Sequence, residues 1–399
     1  MKPSARKRKW RMMGITGLVL ILMGVCLLLG ASGFGSSAAY LEPWNKKYAT
    51  RFEDPRLQLV AHGILAASSH NMQPWRVKLD PRDASVFYLY ADETRTTPEV
   101  DPYARQLLVS QGVFLEYVRV AGDSLGLRVS LSLFPDGDYD ETKLASSMKD
   151  KPVARIEIRK GQPADNPLYS SLFLPDTNRA PYQPTAITDN QVQALEEAGE
   201  GEGISVHIYQ DEEALQNLGR YALEGVQVET GVERINQEAS RLFRANERQK
   251  NKERYGFSFE GQGTSGVTKH MLQGLVTLFP SMNNEKVSAK LTMKSTKKAV
   301  AATTAYVMIR SASNSRVEQV EAGMSYARVL LTAHSMGLVM QPVSQVLEEY
   351  PEMAELHQAV HQDYTNGQGE TLQLFVRLGL PTTPAFRTMR RDAMDLLIQ

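Results

Sequence analysis

The sequence predicts an α+β chain in two related halves, carried behind one N-terminal transmembrane helix. Three observations lead there. No charge occurs from Met12 to Leu41, directly after a cluster of basic residues. Beyond that run, helical and strand-like apolar periodicities alternate along the chain. The order helix, strand, long helix, strand then occurs twice, without a letter-level repeat.

Length and charge bound the possibilities. The 399 residues are 42% hydrophobic and 23% charged, enough for a sizeable core and too long for one ordinary domain. Lys2, Arg6, Lys7, Arg8, Lys9 and Arg11 crowd the first eleven positions, where no acid occurs. The other 39 basic residues face 45 acids, so the body is mildly acidic, which argues against a nucleic-acid partner.

A helix needs about 20 apolar residues to cross the hydrocarbon core, and residues 12–33 supply them. The basic segment 1–11 should stay cytoplasmic, leaving the body outside the cytoplasm. The competing reading is a cleaved signal peptide, with an apolar core of roughly 7–15 residues. The longer run favours an anchor, while the small residues from Ala31 to Ala39 leave cleavage open. Cys26, the only cysteine, lies inside the run. The body therefore has no disulfide, cysteine metal site or thiol nucleophile.

Residues 34–53 read as a tether. Leu57, Val60, Ala61, Ile64 and Leu65 predict a helix from Pro55 to Ala67. Strands are expected at 76–79 and 85–90, a long helix at 104–125 stopped by Gly126, and a strand at 128–134. Few apolar runs occur across roughly 136–180. Thr188 with Gln191 fits a capping box opening a short helix, and 204–209 reads as a strand. Residues 212–254 are helical in pattern, and the charged part from Arg241 to Arg254 reads as a solvated face. The stretch 255–296 reads as Gly-rich and irregular. A buried strand at 299–311, a helix at 317–336 and strands at 338–343 and 372–378 complete the order.

The chemistry concentrates in Ala67-Ser68-Ser69-His70-Asn71-Met72-Gln73-Pro74-Trp75. Two hydroxyls, an imidazole and two carboxamides fall within six residues, offering donors and acceptors to the edge of a flat heterocycle. A helix C-cap followed by a locally satisfied turn accounts for the same residues. The local chemistry leaves both readings open.

This segment resembles the nitroreductase signature Pro-Ser-x-x-Asn-x-Gln-Pro-Trp, with Ala67 in place of the proline. The resemblance implies FMN contacts from Ser68, Ser69, Asn71 and Gln73; His70 is a further candidate for contact with the flavin or substrate, with a structural hydrogen bond to a neighbouring carbonyl as the open alternative. Gly323 to Leu338 is similar to the family's long central helix. The following Pro342-Val343-Ser344-Gln345 resembles the strand end that faces the flavin, which implies the Ser344 N–H near the flavin N5. Arg377-Leu378-Gly379 with Arg387, Arg390 and Arg391 resembles the closing strand and phosphate-binding arginines. Thr177 to Tyr182 resembles the opening phosphate motif, with Arg179 as its second base and Pro175 where the first belongs.

The flavin-edge segment lies in the first half and the other pieces in the second. This resembles the tandem, Acg-like branch, in which one chain imitates a dimer and works as a monomer. The implied fold is nitroreductase-like: two halves, each a mainly antiparallel sheet flanked by helices. The first half is expected at 54–160, a linker at 161–178 and the second half at 179–399. An insertion at about 230–296 has the position of a lid. One FMN is implied, since the second half has no copy of Ser68 to Trp75.

Other signals are weak. Gly261-Gln262-Gly263-Thr264-Ser265-Gly266 fits G-x-G-x-x-G but lacks a surrounding βαβ unit. His357 and His361 share a helix face but lack the Glu of a zinc motif, so a solvated face is expected. No Gly-x-Ser-x-Gly elbow occurs. The expected activity is an FMN-dependent oxidoreductase, taking electrons from NAD(P)H or another donor to a nitroaromatic or quinone-like acceptor. The flavin performs the redox step, so no catalytic side chain and no metal ligand is assigned. Two alternatives stay open: a flavin-sequestering protein without turnover, and a membrane-tethered interaction module on the same fold.

Overall fold

The computed structural model describes residues 5–367 and 369–398. Lys2 and the side chains of Arg6, Lys7, Arg8 and Arg11 lie outside the described residues, and with them most of the basic cluster. Helix α1 (Ala5–Ser32) contains the apolar run. Its residues Met12–Ser32 are long and apolar enough to cross a membrane, and the residues from Met12 to Gly30 are not buried.

The first half opens with α2 (Pro55–Gly63), where the Asp54 side chain caps the Arg56 N–H and Pro55 occupies the first turn. β1 (Trp75–Leu79), β2 (Val86–Ala91), α3 (Arg105–Leu125), β3 (Leu127–Leu133), α4 (Leu144–Asp150) and β4 (Ala154–Lys160) follow. The strands form one antiparallel sheet in the order β1-β2-β4-β3. β4 and α4 lie in the stretch of roughly 136–180 that reads as a linker with few apolar runs, and correct that reading. Ala154, Ile156 and Ile158 are buried while Arg155, Glu157 and Arg159 alternate between them. A strand buried on one face shows this period of two rather than an apolar run.

The second half begins at α5 (Asp189–Gly199), where Thr188 and Gln191 make both bonds of the expected capping box. β5 (Ile204–Tyr209) and α6 (Glu212–Gly231), α7 (Glu233–Arg241), α8 (Glu247–Glu253), α9 (Gly266–Leu278) and α10 (Glu285–Ala301) follow. Then come β6 (Ala305–Ser311), α11 (Arg316–Ser335), β7 (Val339–Pro342), α12 (Ala354–Tyr364) and β8 (Thr371–Gly379). The sheet order is β5-β6-β8-β7, again antiparallel. Each sheet thus runs first, second, fourth, third, with the long helix between its second and third strands.

Three expectations are corrected in this half. Residues 255–296 are not irregular but hold α9 and most of α10. Ala299 to Ala301 close α10 rather than open a strand. The charged α8 is not a solvated face: Lys250 is fully buried between Glu247 at 2.7 Å and Glu260 at 2.5 Å. Its ammonium also lies 4.6 Å from the Tyr40 ring centre. His357 and His361 are half-buried, with rings 4.1 Å apart, and His361 Nε2 accepts the Leu372 N–H at 3.1 Å.

α3 and α11 cross at the centre of the molecule, each buried along most of its length. The chain ends tie the halves together. Trp44 and Tyr48 are buried, and the Trp44 indole donates to Thr388 O at 2.8 Å. The tail beyond β8 returns to the first sheet, where Leu397 bridges Val77 in parallel and Ile398 N donates to Val77 O at 2.9 Å.

Candidate functional site

The stretch Ser68 to Trp75 leaves α2, turns over the N-terminal half of α3 and enters β1. Three of its residues, His70, Asn71 and Gln73, have φ between 51° and 52° although none is glycine. Such left-handed conformations cost on the order of 1 kcal/mol each and persist only where the surroundings impose them. The surroundings are visible. Ser69 N donates to Ser110 Oγ at 3.1 Å, and Ser69 Oγ donates to Gln106 Oε1 at 2.8 Å. Gln111 Nε2 donates to Pro74 O at 2.6 Å, and the buried Trp75 indole donates to Ser110 O at 3.0 Å. Gln106, Ser110 and Gln111 were not singled out in the sequence. Their signal was polar residues spaced i, i+4, i+5 on an otherwise apolar helix.

Asn71 joins this turn to the other end of the chain. Its Nδ2 donates to Met389 O at 3.1 Å and to Gly256 O at 2.9 Å. Its Oδ1 accepts Arg390 Nη1 at 3.0 Å. Gln73 Nε2 donates to Arg254 O at 2.8 Å, and its Oε1 accepts the Arg391 N–H at 2.7 Å. Ser68 Oγ accepts the Gln73 N–H at 2.9 Å. The carboxamides therefore bind the tail and the inserted loop after α8.

The basic residues divide into two kinds. Arg390 is fully buried: Nη2 reaches Leu65 O at 3.0 Å and Asp176 Oδ2 at 3.3 Å, and the guanidinium lies 4.6 Å from the Trp44 ring centre. Arg391 Nη1 donates to Gln73 O and Trp75 O at 3.0 and 3.1 Å. Arg387 donates to Phe173 O at 3.2 Å. These three are held by protein groups. The Arg179 side chain is open to solvent and makes one hydrogen bond among the described residues, of 3.2 Å, to Gly261 O, while desolvation by the surrounding protein lowers its pKa. It also lies close to His70, whose pKa is held down to about 4 by burial first and by the Arg179 charge second. His70 is thus neutral at neutral pH, with Ser69 Oγ 3.0 Å from its Nδ1.

β7 delivers the third piece. Pro342 pairs with Val376, and Val343 N donates to Phe375 O at 2.8 Å. Ser344 Oγ both donates to Phe375 O at 2.9 Å and accepts the Phe375 N–H at 3.0 Å, which locks the turn. α6 presses on this turn at Gly225, where a β-carbon would fall 2.8 Å from Val346 N. One helical turn on, Glu229 faces Gln345, and Glu348 faces Gln106. Burial pushes the Glu229 carboxyl up to about 7, and burial first and the Glu229 charge second raise the Glu348 carboxyl. Gln345 Oε1 and Glu348 Oε2 are buried without a hydrogen-bond partner among the described residues. Neither glutamate carried a sequence signal, and no cluster of metal ligands occurs among the described residues.

The nitroreductase family model matches residues 177–379. The chain belongs to the nitroreductase family. The match takes in α5 to β8 and leaves Ser68 to Trp75 outside it. Among curated relatives, a Mycobacterium tuberculosis protein of uncharacterised function is 26% identical over 136 residues, which is 31% of this chain and 40% of that one. A second protein of that organism, named only provisionally as an NAD(P)H nitroreductase, is 38% identical over 73 residues. That alignment spans 18% of this chain and 20% of the relative. Solved nitroreductases are similar at lower identity. One from Desulfitobacterium hafniense with bound FMN is 11% identical, covering 56% of this chain and 94% of its own, with a TM-score of 0.34. A variant of an FMN- and NADPH-dependent nitroreductase from Sphingopyxis is 12% identical, covering 58% and 97%, with a TM-score of 0.36.

In this nitroreductase-family chain, Ser69, His70, Asn71 and Gln73 come together with Arg179, Arg390 and Arg391 from the second half. Arg387 stands one step away, near Phe173 and Trp44. The Pro342–Gln345 turn approaches from the other side through Gln106 and Glu348.

Proposed function

We propose that the chain is an FMN-dependent oxidoreductase of the nitroreductase type, in which one chain supplies both halves of the flavin site. The observation that carries this reading is the strained turn at His70, Asn71 and Gln73, held by tail residues 318 positions away in the case of Gln73 and Arg391. Strain imposed from so far along the chain belongs to a site more readily than to a surface turn.

The residues fit the cofactor unevenly, and the pattern assigns them roles. Bound FMN would supply the electron- and hydride-transfer chemistry. Gln345 Oε1 and Glu348 Oε2, acceptors without partners, suit the N–H-bearing edge of the ring. Arg179, with most of its donors unused, suits the phosphate. Asn71, Gln73, Arg390 and Arg391 position the turn, because their carboxamides and the guanidinium Nη atoms of the arginines already have protein partners. Burial raises the pKa of Glu348, whose carboxyl lies beside the Ser344 turn. The acceptor class is a nitroaromatic or quinone, with NAD(P)H or another small reductant as donor.

One observation favours flavin sequestration as a second reading. Residues 254–261 of the insertion bond directly to Asn71, Gln73 and Arg179, so the loop lies across the site as a lid. α1 supports a membrane anchor, with the N-terminus cytoplasmic and the body outside, where NAD(P)H is scarce.

A spectrum of the purified full chain separates these readings. Bound flavin bleached by NADPH or NADH and reoxidised by a nitroaromatic supports turnover. Bound flavin that neither nucleotide bleaches favours sequestration. Absence of a flavin band after incubation with FMN would sink both.

A further inference from the structure

The insertion has a second surface, away from the candidate site. α9 packs along the last turns of α1. Gly274 lies so close that a β-carbon there would fall 2.1 Å from Leu28 O. His270 Nδ1 sits 3.3 Å from Ser32 Oγ, one turn closer to the body. The two helices are therefore antiparallel, and α9 runs back toward the middle of the apolar span. One further turn, about 6 Å of rise, sets Leu278 level with about Gly24.

Exposed apolar residues continue from that end of α9 into the first turns of α10. Leu278, Phe279, Met282, Val287 and Leu291 are exposed, Phe279 by 55% and Leu291 by 57%. Soluble surfaces seldom carry such a contiguous group. Lys286, Lys290, Lys294, Lys297 and Lys298 are exposed along α10, whose described acids number one, Glu285. An apolar tip with a lysine stripe beside it is the composition of a segment lying in a lipid interface, with lysines at anionic headgroups.

We propose that the α9–α10 segment is a second membrane contact, dipping Phe279 and Met282 into the bilayer beside α1. This rests on the reading of α1 as an anchor. Continuity with α1 determines the occupant: a lipid layer that surrounds α1 at the level of Gly24 meets the tip at the same depth. The insertion then joins the bilayer at its tip to the candidate site at residues 254–261.

The test uses the full chain in lipid nanodiscs containing phosphatidylglycerol, with Cys26→Ser and one environment-sensitive label at a time. Labels go at Leu20→Cys in α1, Phe279→Cys at the tip and Lys149→Cys on the exposed body, with quenchers on the lipid chains. Quenching at 20 and at 279, each at least about twofold above that at 149, is expected for two membrane contacts. Quenching at 20 with 279 matching 149 overturns the proposal and leaves the anchor standing. Quenching at 279 alone supports the α9–α10 contact and removes the anchor. Quenching at neither position overturns both. Lys286→Glu with Lys290→Glu should weaken the signal at 279 in anionic lipid and leave it in zwitterionic lipid; an equal signal in both overturns the headgroup role.

Discussion

Gly112 of α3 lies face to face with Gly323 of α11: a β-carbon on Gly112 would fall 1.9 Å from Val320 O, and one on Gly323 1.9 Å from Val109 O. Backbone touches backbone at the centre of the molecule. The same relation holds in both directions, as expected where two equivalent helices cross.

Gly112→Ala and Gly323→Ala should each destabilise the chain by about 1–3 kcal/mol or more, because the crossing must widen and neither helix has room to give. Urea unfolding of the two variants checks this. Parental midpoints in both would mean that the helices do not cross this closely.

Arg390 is a structural cation as much as a ligand candidate. Arg390→Ala leaves Asp176 buried without its partner, and should cost roughly 3–5 kcal/mol. Flavin retention should fall with it. A variant with parental stability and normal flavin content would show that the tail does not clasp the motif.

Arg179 should behave in the opposite way. It is open to solvent and has one hydrogen bond among the described residues, and its desolvation offsets its attraction to Asp176, so Arg179→Ala should leave the thermal midpoint within about 3 °C of the parent. It should weaken FMN binding roughly 10- to 100-fold, as loss of a charge-assisted phosphate contact does. Retention of full FMN affinity would assign the phosphate elsewhere.

The Glu229 carboxyl has an ordinary value near 4.5 and rises to about 7 in the fold through burial. Between those values the unfolded chain ionises while the folded chain keeps its proton, so stability falls as pH rises through that window and then levels. Glu229→Gln removes this slope. It should match the parent near pH 4 and exceed it by on the order of 1–3 kcal/mol at pH 8. A difference independent of pH would mean that Glu229 is solvated.

Much of the architecture was legible because it follows local periodicity. β5 at Ile204–Tyr209 and the Thr188 capping box occupy the positions that their residues predict. The long helices α3 and α11 also fall within a residue or two of expectation. β4 was missed although Ala154, Ile156 and Ile158 alternate, because its other face is charged and solvated. α9 was missed for a different reason. Its helix is supported by α1, some 245 residues earlier, and no local window contains that partner.

The sequence by itself determined the alternation of helices and strands, the apolar span of α1 and the identity of the polar turn from Ser68 to Trp75. These depend on residues within a turn or two of each other. Only the tertiary structure decided what the turn does. Its left-handed residues carry no glycine to announce them; they are imposed by Ser110 of α3 and by Met389 and Arg391 of the tail, two places far apart in the chain. It also divided the arginines into the buried Arg390 and the exposed Arg179, and brought Glu229 beside Glu348. Burial and charge proximity set those properties, and both are sums over neighbours that are distant in sequence.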